Sequence, residues 1–232
     1  MRSLSLFLTV GGSLCAVSSH AFTLIDDFTV GDYHSVIVWP NKHDGHVLQN
    51  LDQAHSAFGE RGADVFVDTN FDKVPVNIDF GGGQARISYD SPSRDIATDT
   101  NIFLGNVGGP LVDLSAENEI WIDLFTEDPS GRLADQWSIT IFDADGHRDT
   151  NPGWLFRQGG IRFRRQDFDP NINWNRIQQL SFRQKFTPDI GDVPMAYTVT
   201  KIYAVPEPST AAFAAAGLLL TRRKAAASPY FS

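Results

Sequence analysis

Hydrophobicity alternates with a period of two along several short stretches of this chain, and that alternation leaves few folds open. In one stretch Ile120, Ile122 and Leu124 alternate with Trp121, Asp123 and Phe125; in another Trp137, Ile139 and Ile141 alternate with Ser138, Thr140 and Phe142. Successive side chains of a strand point to opposite faces, so each stretch reads as a strand with one buried face. Further β-rich segments lie at 35–39, 63–67, 75–80, 85–89, 160–163, 177–182 and 196–203. Turn material separates them: Gly81-Gly82-Gly83, Gly108-Gly109-Pro110, Asp128-Pro129-Ser130-Gly131 and Asp143-Ala144-Asp145-Gly146. No long stretch carries helical periodicity, and the best helical candidate is a short one at 49–58. About nine short strands with regular punctuation predict an all-β domain, a β-sandwich or jelly roll.

The two ends read differently. Met1 and Arg2 precede an apolar stretch from Leu4 to Val17 and then Ser19-His20-Ala21, the layout of a secretory signal peptide cleaved between Ala21 and Phe22. The lone Cys15 lies inside that segment, and Leu14 before it does not fit a lipoprotein signal. Removal of residues 1–21 leaves a chain without thiols, which excludes disulfides, thiolate metal sites and cysteine nucleophiles together. At the other end Val205-Pro206-Glu207-Pro208 is followed by an apolar run from Ala211 to Leu220 and by Arg222-Arg223-Lys224. Prolines on both sides of Glu207 cannot continue a strand ladder or a helix interior, so the domain is expected to span 22–204. The apolar run reads as a short helix, and its basic flank as a stop-transfer signal.

Val-Pro-Glu-Pro, an apolar segment and a basic cluster, in that order and behind a signal peptide, resemble the PEP-CTERM sorting tail. The resemblance covers residues 205–232. It implies an exported protein held transiently in the inner membrane, processed by an exosortase, and released to the cell surface or the extracellular polysaccharide matrix. It further implies that Val205, Pro206, Glu207 and Pro208 form the sorting motif and that Arg222, Arg223 and Lys224 form the cytoplasmic anchor. Inside the domain, Asp26-Asp27-Phe28, the segment Gly59-Glu60-Arg61-Gly62-Ala63-Asp64-Val65, and Ser181-Phe182 following Trp174 resemble galactose-binding-like jelly rolls. That second resemblance assigns no sugar-binding residue.

Net charge bears on partners. Arg2, Arg222, Arg223 and Lys224 lie outside residues 22–205, as does Glu207 alone among the acids, so of 19 basic and 28 acidic residues the domain keeps 15 and 27. A charge of -12 on the domain, against -9 for the whole chain, excludes nucleic acid and anionic membrane surfaces as its partners.

Candidate sites follow from residue chemistry. His34, His43, His46 and His55 lie close in sequence, and His43-x-x-His46 is a possible metal pair, although a polar loop at 41–45 explains it equally. Asp143-x-Asp145-Gly146-x-x-Asp149 begins like a calcium loop but lacks the later ligands, so a hairpin turn is the better reading. Trp121, Trp154 and Trp174, with Trp39 and Trp137, are candidate sugar platforms; Trp137 is in phase with the core, Trp121 shares a face with Asp123, Trp154 and Trp174 lie in loop-like segments, and core or loop-anchoring roles are the better reading. Arg157, Arg162, Arg164 and Arg165 form a basic patch that could pair with acidic polysaccharide, although the solvent face of a strand is the better reading. Glu117, Glu119, Asp123, Glu127 and Asp128 supply carboxylates, but no nucleophile elbow or phosphate loop accompanies them. The expectation is therefore a non-enzymatic exported protein with no cofactor or metal, whose partners are the exosortase and extracellular polysaccharide. The alternative is a secreted carbohydrate-binding module or a glycan-active enzyme on a jelly roll.

Overall fold

The computed structural model describes residues 22–70, 73–89, 97–126, 136–153, 160–186 and 196–206. Within them the chain forms strands β1 (Thr23–Asp26), β2 (Tyr33–Ile37), β3 (Lys42–Gln49), β4 (Glu60–Thr69), β5 (Val76–Gly81), β6 (Gln84–Tyr89) and β7 (Ala97–Leu104). They continue as β8 (Glu119–Thr126), β9 (Gln136–Asp143), β10 (Arg148–Gly153), β11 (Ile161–Arg164), β12 (Ile177–Phe186) and β13 (Ala196–Val205), with one 3-10 turn at Arg165–Asp167. The first sheet has the order β11-β8-β13-β6-β5-β2, and the second β10-β9-β12-β7-β4-β3. Every pairing is antiparallel, and the fold is an all-β sandwich.

In the first sheet, β13 shares one of its edges between two partners. Ala196 to Val199 pair with β6, whereas Ile202 to Ala204 pair with β1. A register shift between Val199 and Lys201 marks the place where the strand adjusts. The β5–β6 connection is as tight as a hairpin allows: Gly82 and Gly83, at φ +59° and +86°, form the two-residue loop between the paired Gly81 and Gln84. Both central positions lie in the left-handed region, which glycine enters without steric cost.

The period-two reading holds at the level of single residues. Ile120, Ile122 and Leu124 are buried, Trp121 and Asp123 are half-buried, and Phe125 is exposed. Trp137 is 2% exposed and joins the layers: its ring stacks on Phe182 of its own sheet at 5.1 Å and meets Tyr197 of the facing sheet edge-on at 5.3 Å. Truncating such a ring to alanine costs about 3–5 kcal/mol.

All nine anticipated strand segments are present. Four more strands, β1, β3, β7 and β10, were not anticipated, and two expectations are corrected. The segment 49–58 is not a helix: it begins at the end of β3 and continues as a single hydrogen-bonded turn, with His55 and Ser56 N–H on the Asp52 carbonyl. Ser56 then bridges to Asp26 and Gly59 turns at φ +65°, so tertiary pairing leaves no room for a second helical turn. Residues 42–45 are not a loop but part of β3, an edge strand whose ladder to β4 runs from Lys42 to Gln49. The leader with Cys15 and Ala21, together with Glu127, Asp128, Trp154, Arg157, Glu207, Pro208 and the apolar run with Arg222, Arg223 and Lys224, lies outside the described residues.

Candidate functional site

The outward face of the second sheet carries a groove of about 520 Å³ lined by His43, Asp64, Phe66, Asp99, Asn101, Thr140, Ser181 and Arg183. These residues come from β3, β4, β7, β9 and β12, and the ladder registers explain why they meet. Asp64 stands opposite Asn101, Asn101 opposite Arg183, and Arg183 opposite Ser138. The neighbouring row runs from His43 through Phe66 and Asp99 to Lys185. Each row is a line of outward side chains perpendicular to the strands, about 4.8 Å apart.

Polar contacts fix this surface. Arg183 grips the Asp99 carboxylate with two donors, Nε reaching Oδ1 at 2.7 Å and Nη2 reaching Oδ2. That bond holds the guanidinium above its ordinary pKa. Ser181 Oγ donates to Asn101 Oδ1 at 2.6 Å, and the hydroxyls of Thr140 and Thr150 meet at 2.8 Å. His43 Nε2 contacts Asp64 Oδ1. Phe66, 37% exposed, presents an aromatic surface between His43 and Asp99. Phe103 lies across Gly62 on the neighbouring strand, so close that a Cβ at position 62 would sit 2.0 Å from its Cζ.

A second aromatic group occupies the outward face of the first sheet. Trp121 stacks on Tyr203 with centroids 6.3 Å apart, Phe22 meets Tyr203 edge-on at 5.3 Å, and Arg162 lies 5.6 Å over Trp121. Glu119 accepts the Trp121 indole N–H at 2.9 Å and pairs with Arg162 and Arg164. These rings therefore already carry cationic and aromatic partners from the chain itself.

The other sequence candidates disperse. His43 and His46 are three residues apart on one strand and so face opposite ways: His43 turns outward to Asp64, while His46 stacks on Tyr33 at 4.1 Å. His34 contacts Asp79, and His55 contacts Asp27 at 2.9 Å. Among the described residues no group of three or more His, Cys, Asp or Glu side chains is arranged to hold a metal ion. The Asp143 segment is a hairpin, and its carboxylate is occupied by donors. Oδ1 accepts the N–H groups of Asp145 and His147, and Oδ2 accepts the Asn173 N–H and meets His147 Nδ1, all within 2.9 Å. Trp174 is buried against Phe168 and beneath Arg165, and Trp39 is exposed beneath Lys73. Val205 ends β13 opposite Glu119, and Pro206 follows outside the strand.

The groove residues on β7 were missed because Thr98 and Thr100, and not aliphatic residues, fill the first two inward positions there. Both are buried, and Thr98 meets the Tyr89 hydroxyl at 2.8 Å. The signal was present as Thr98, Thr100, Ile102 and Leu104 at period two.

No family description and no curated protein matches this chain. Among solved structures, the solution structure of the carbohydrate-binding module CtCBM11, a protein studied for its dynamics and binding, aligns with 82% of this chain and 98% of its own. The identity is 12% and the TM-score 0.31.

Proposed function

We propose that this chain is an exported, non-enzymatic sandwich of the galactose-binding-like jelly-roll kind that holds a neutral extracellular polysaccharide along the groove of the second sheet. The observation that carries the reading is the composition and reach of that groove. It crosses five neighbouring strands, a length of roughly 19 Å at about 4.8 Å per strand, which suits about four pyranose rings. Its lining combines hydroxyls, an amide and charged groups already paired with one another, which can bond sugar hydroxyls, with the exposed Phe66 as an apolar face. Two carboxylates against one guanidinium, on a domain of charge -12, favour uncharged sugars over uronates. Affinity electrophoresis in gels cast with neutral or with uronate-containing polysaccharide tests this: neutral polymer should retard the protein, and release of reducing ends would replace the binding role by a hydrolytic one.

The tail completes the proposal. Val205, Pro206, Glu207 and Pro208 serve as the exosortase motif and Arg222, Arg223 and Lys224 as a transient inner-membrane anchor, leaving the sandwich at the cell surface or in the matrix. Replacing Glu207 and both prolines should change the mass and location of the exported protein; an unchanged mass and surface fraction would remove this part of the proposal.

A further inference from the structure

Glu117 is 7% exposed, and its two carboxylate oxygens differ in their partners. Oε1 accepts the hydroxyl of Thr23 at 2.7 Å, whereas Oε2 is buried and has no hydrogen-bond partner among the described residues. A buried carboxylate oxygen without a donor is costly, so this place favours a cation or a hydrogen-bond donor. Nearby guanidinium groups are committed elsewhere. Arg165 donates to the Ser115 carbonyl at 2.6 Å and lies over Trp174, and Arg164 pairs with Glu119.

The residue next to Thr23 is Phe22, whose place is fixed on both sides. Its ring packs edge-on against Tyr203 at 5.3 Å with the Lys201 ammonium 5.1 Å above it, and Thr23 pairs with Ala204 in the sheet. The loop bearing Glu117 is tied to the same end of the sheet, because Asn118 N–H donates to the Val205 carbonyl at 2.9 Å. We infer that the donor for Glu117 is the α-ammonium of Phe22, created when the leader is removed. The inference rests on the export reading above, in which water adds across the Ala21–Phe22 amide, Ala21 leaves as a carboxylate and Phe22 gains a free amine that protonates. Leader removal then completes the closure of β1 onto β13 and stabilises the exported form over the precursor.

The test compares residues 22–232 released from a cleavable fusion, so that Phe22 carries a free amine, with the same chain acetylated at that amine or retaining Ala21. The free-amine chain should melt about 3–6 °C higher, and Glu117→Gln should abolish the difference. Should Glu117→Gln fail to fold, the rate at which an acylating reagent labels the Phe22 amine decides instead. It should be several-fold slower in the folded chain than after unfolding in urea. Equal melting temperatures, a difference that survives Glu117→Gln, or stabilisation by calcium regardless of the N-terminus would overturn the inference. The intact mass of the exported protein reports separately on the leader: a chain beginning elsewhere than Phe22 contradicts the export reading whatever the melting temperatures show.

Discussion

Arg61 donates from Nη1 to Asp26 Oδ1 at 2.6 Å, with side-chain exposures of 1% and 0%, so the interior of this sandwich contains a buried ion pair. Arg61 also donates to the carbonyls of Val30 and Gly31 and lies 4.8 Å over the Phe28 ring, which ties the β1–β2 connection to β4. Burial pushes the Asp26 carboxyl above its ordinary value, against the opposing pull of Arg61, the Phe28 N–H and Ser56. Removing one partner strands the other charge. Arg61→Met is expected to cost about 3–5 kcal/mol in urea unfolding, and Asp26→Leu with Arg61→Met to recover much of it.

Asp143 predicts an acid limb. Burial raises its pKa, but the Asn173 amide, the His147 side chain and amide, and the Asp145 amide outweigh that and leave it below the usual 3.8. A depressed carboxylate contributes stability above its unfolded value and loses it as pH falls through the folded value. Asp143→Asn should therefore lower stability by about 1–3 kcal/mol at pH 7 and narrow its gap to the parent protein below pH about 4. Denaturant midpoints across that range provide the check.

His55 works in the opposite direction. Its hydrogen bond to Asp27 raises its pKa above 6.5, and Asp27 is itself held low, with its burial outweighed by bonds to Thr29 and His55. The stabilisation is complete below about pH 6.5 and fades as pH rises through the raised value. His55→Ala should depress the melting temperature more at pH 5.5 than at pH 8.5, as differential scanning calorimetry can show.

Gly62 is required by packing and not by its backbone angle. A methyl group there would overlap the Phe103 ring on the neighbouring strand, which must then shift. Gly62→Ala should cost about 1–3 kcal/mol and shift the Phe103 ring resonances in NMR spectra.

The sandwich was legible because its core strands carry aliphatic residues at period two, as in β8 and β9. It was illegible where chemistry departs from that code. On β7 the inward Thr98 and Thr100 look polar, and on β3 Gly45 and two histidines look like a loop. The burial of Arg61 had no sequence signal, since a charged side chain is rarely fully buried unless it is paired and its partner Asp26 lies 35 positions away. The groove had no local motif at all. His43, Asp64, Asp99, Thr140 and Arg183 come from five strands, and only the registers of the second sheet bring them together.

Isothermal titration of the protein with a panel of neutral oligosaccharides tests the groove most directly. At least one should bind, with Phe66→Ala and Arg183→Ala each raising Kd about tenfold or more, equivalent to about 1.4 kcal/mol, and Trp121→Ala leaving it unchanged. Absence of binding to every neutral sugar, or binding abolished by Trp121→Ala and untouched by the groove variants, would contradict the account.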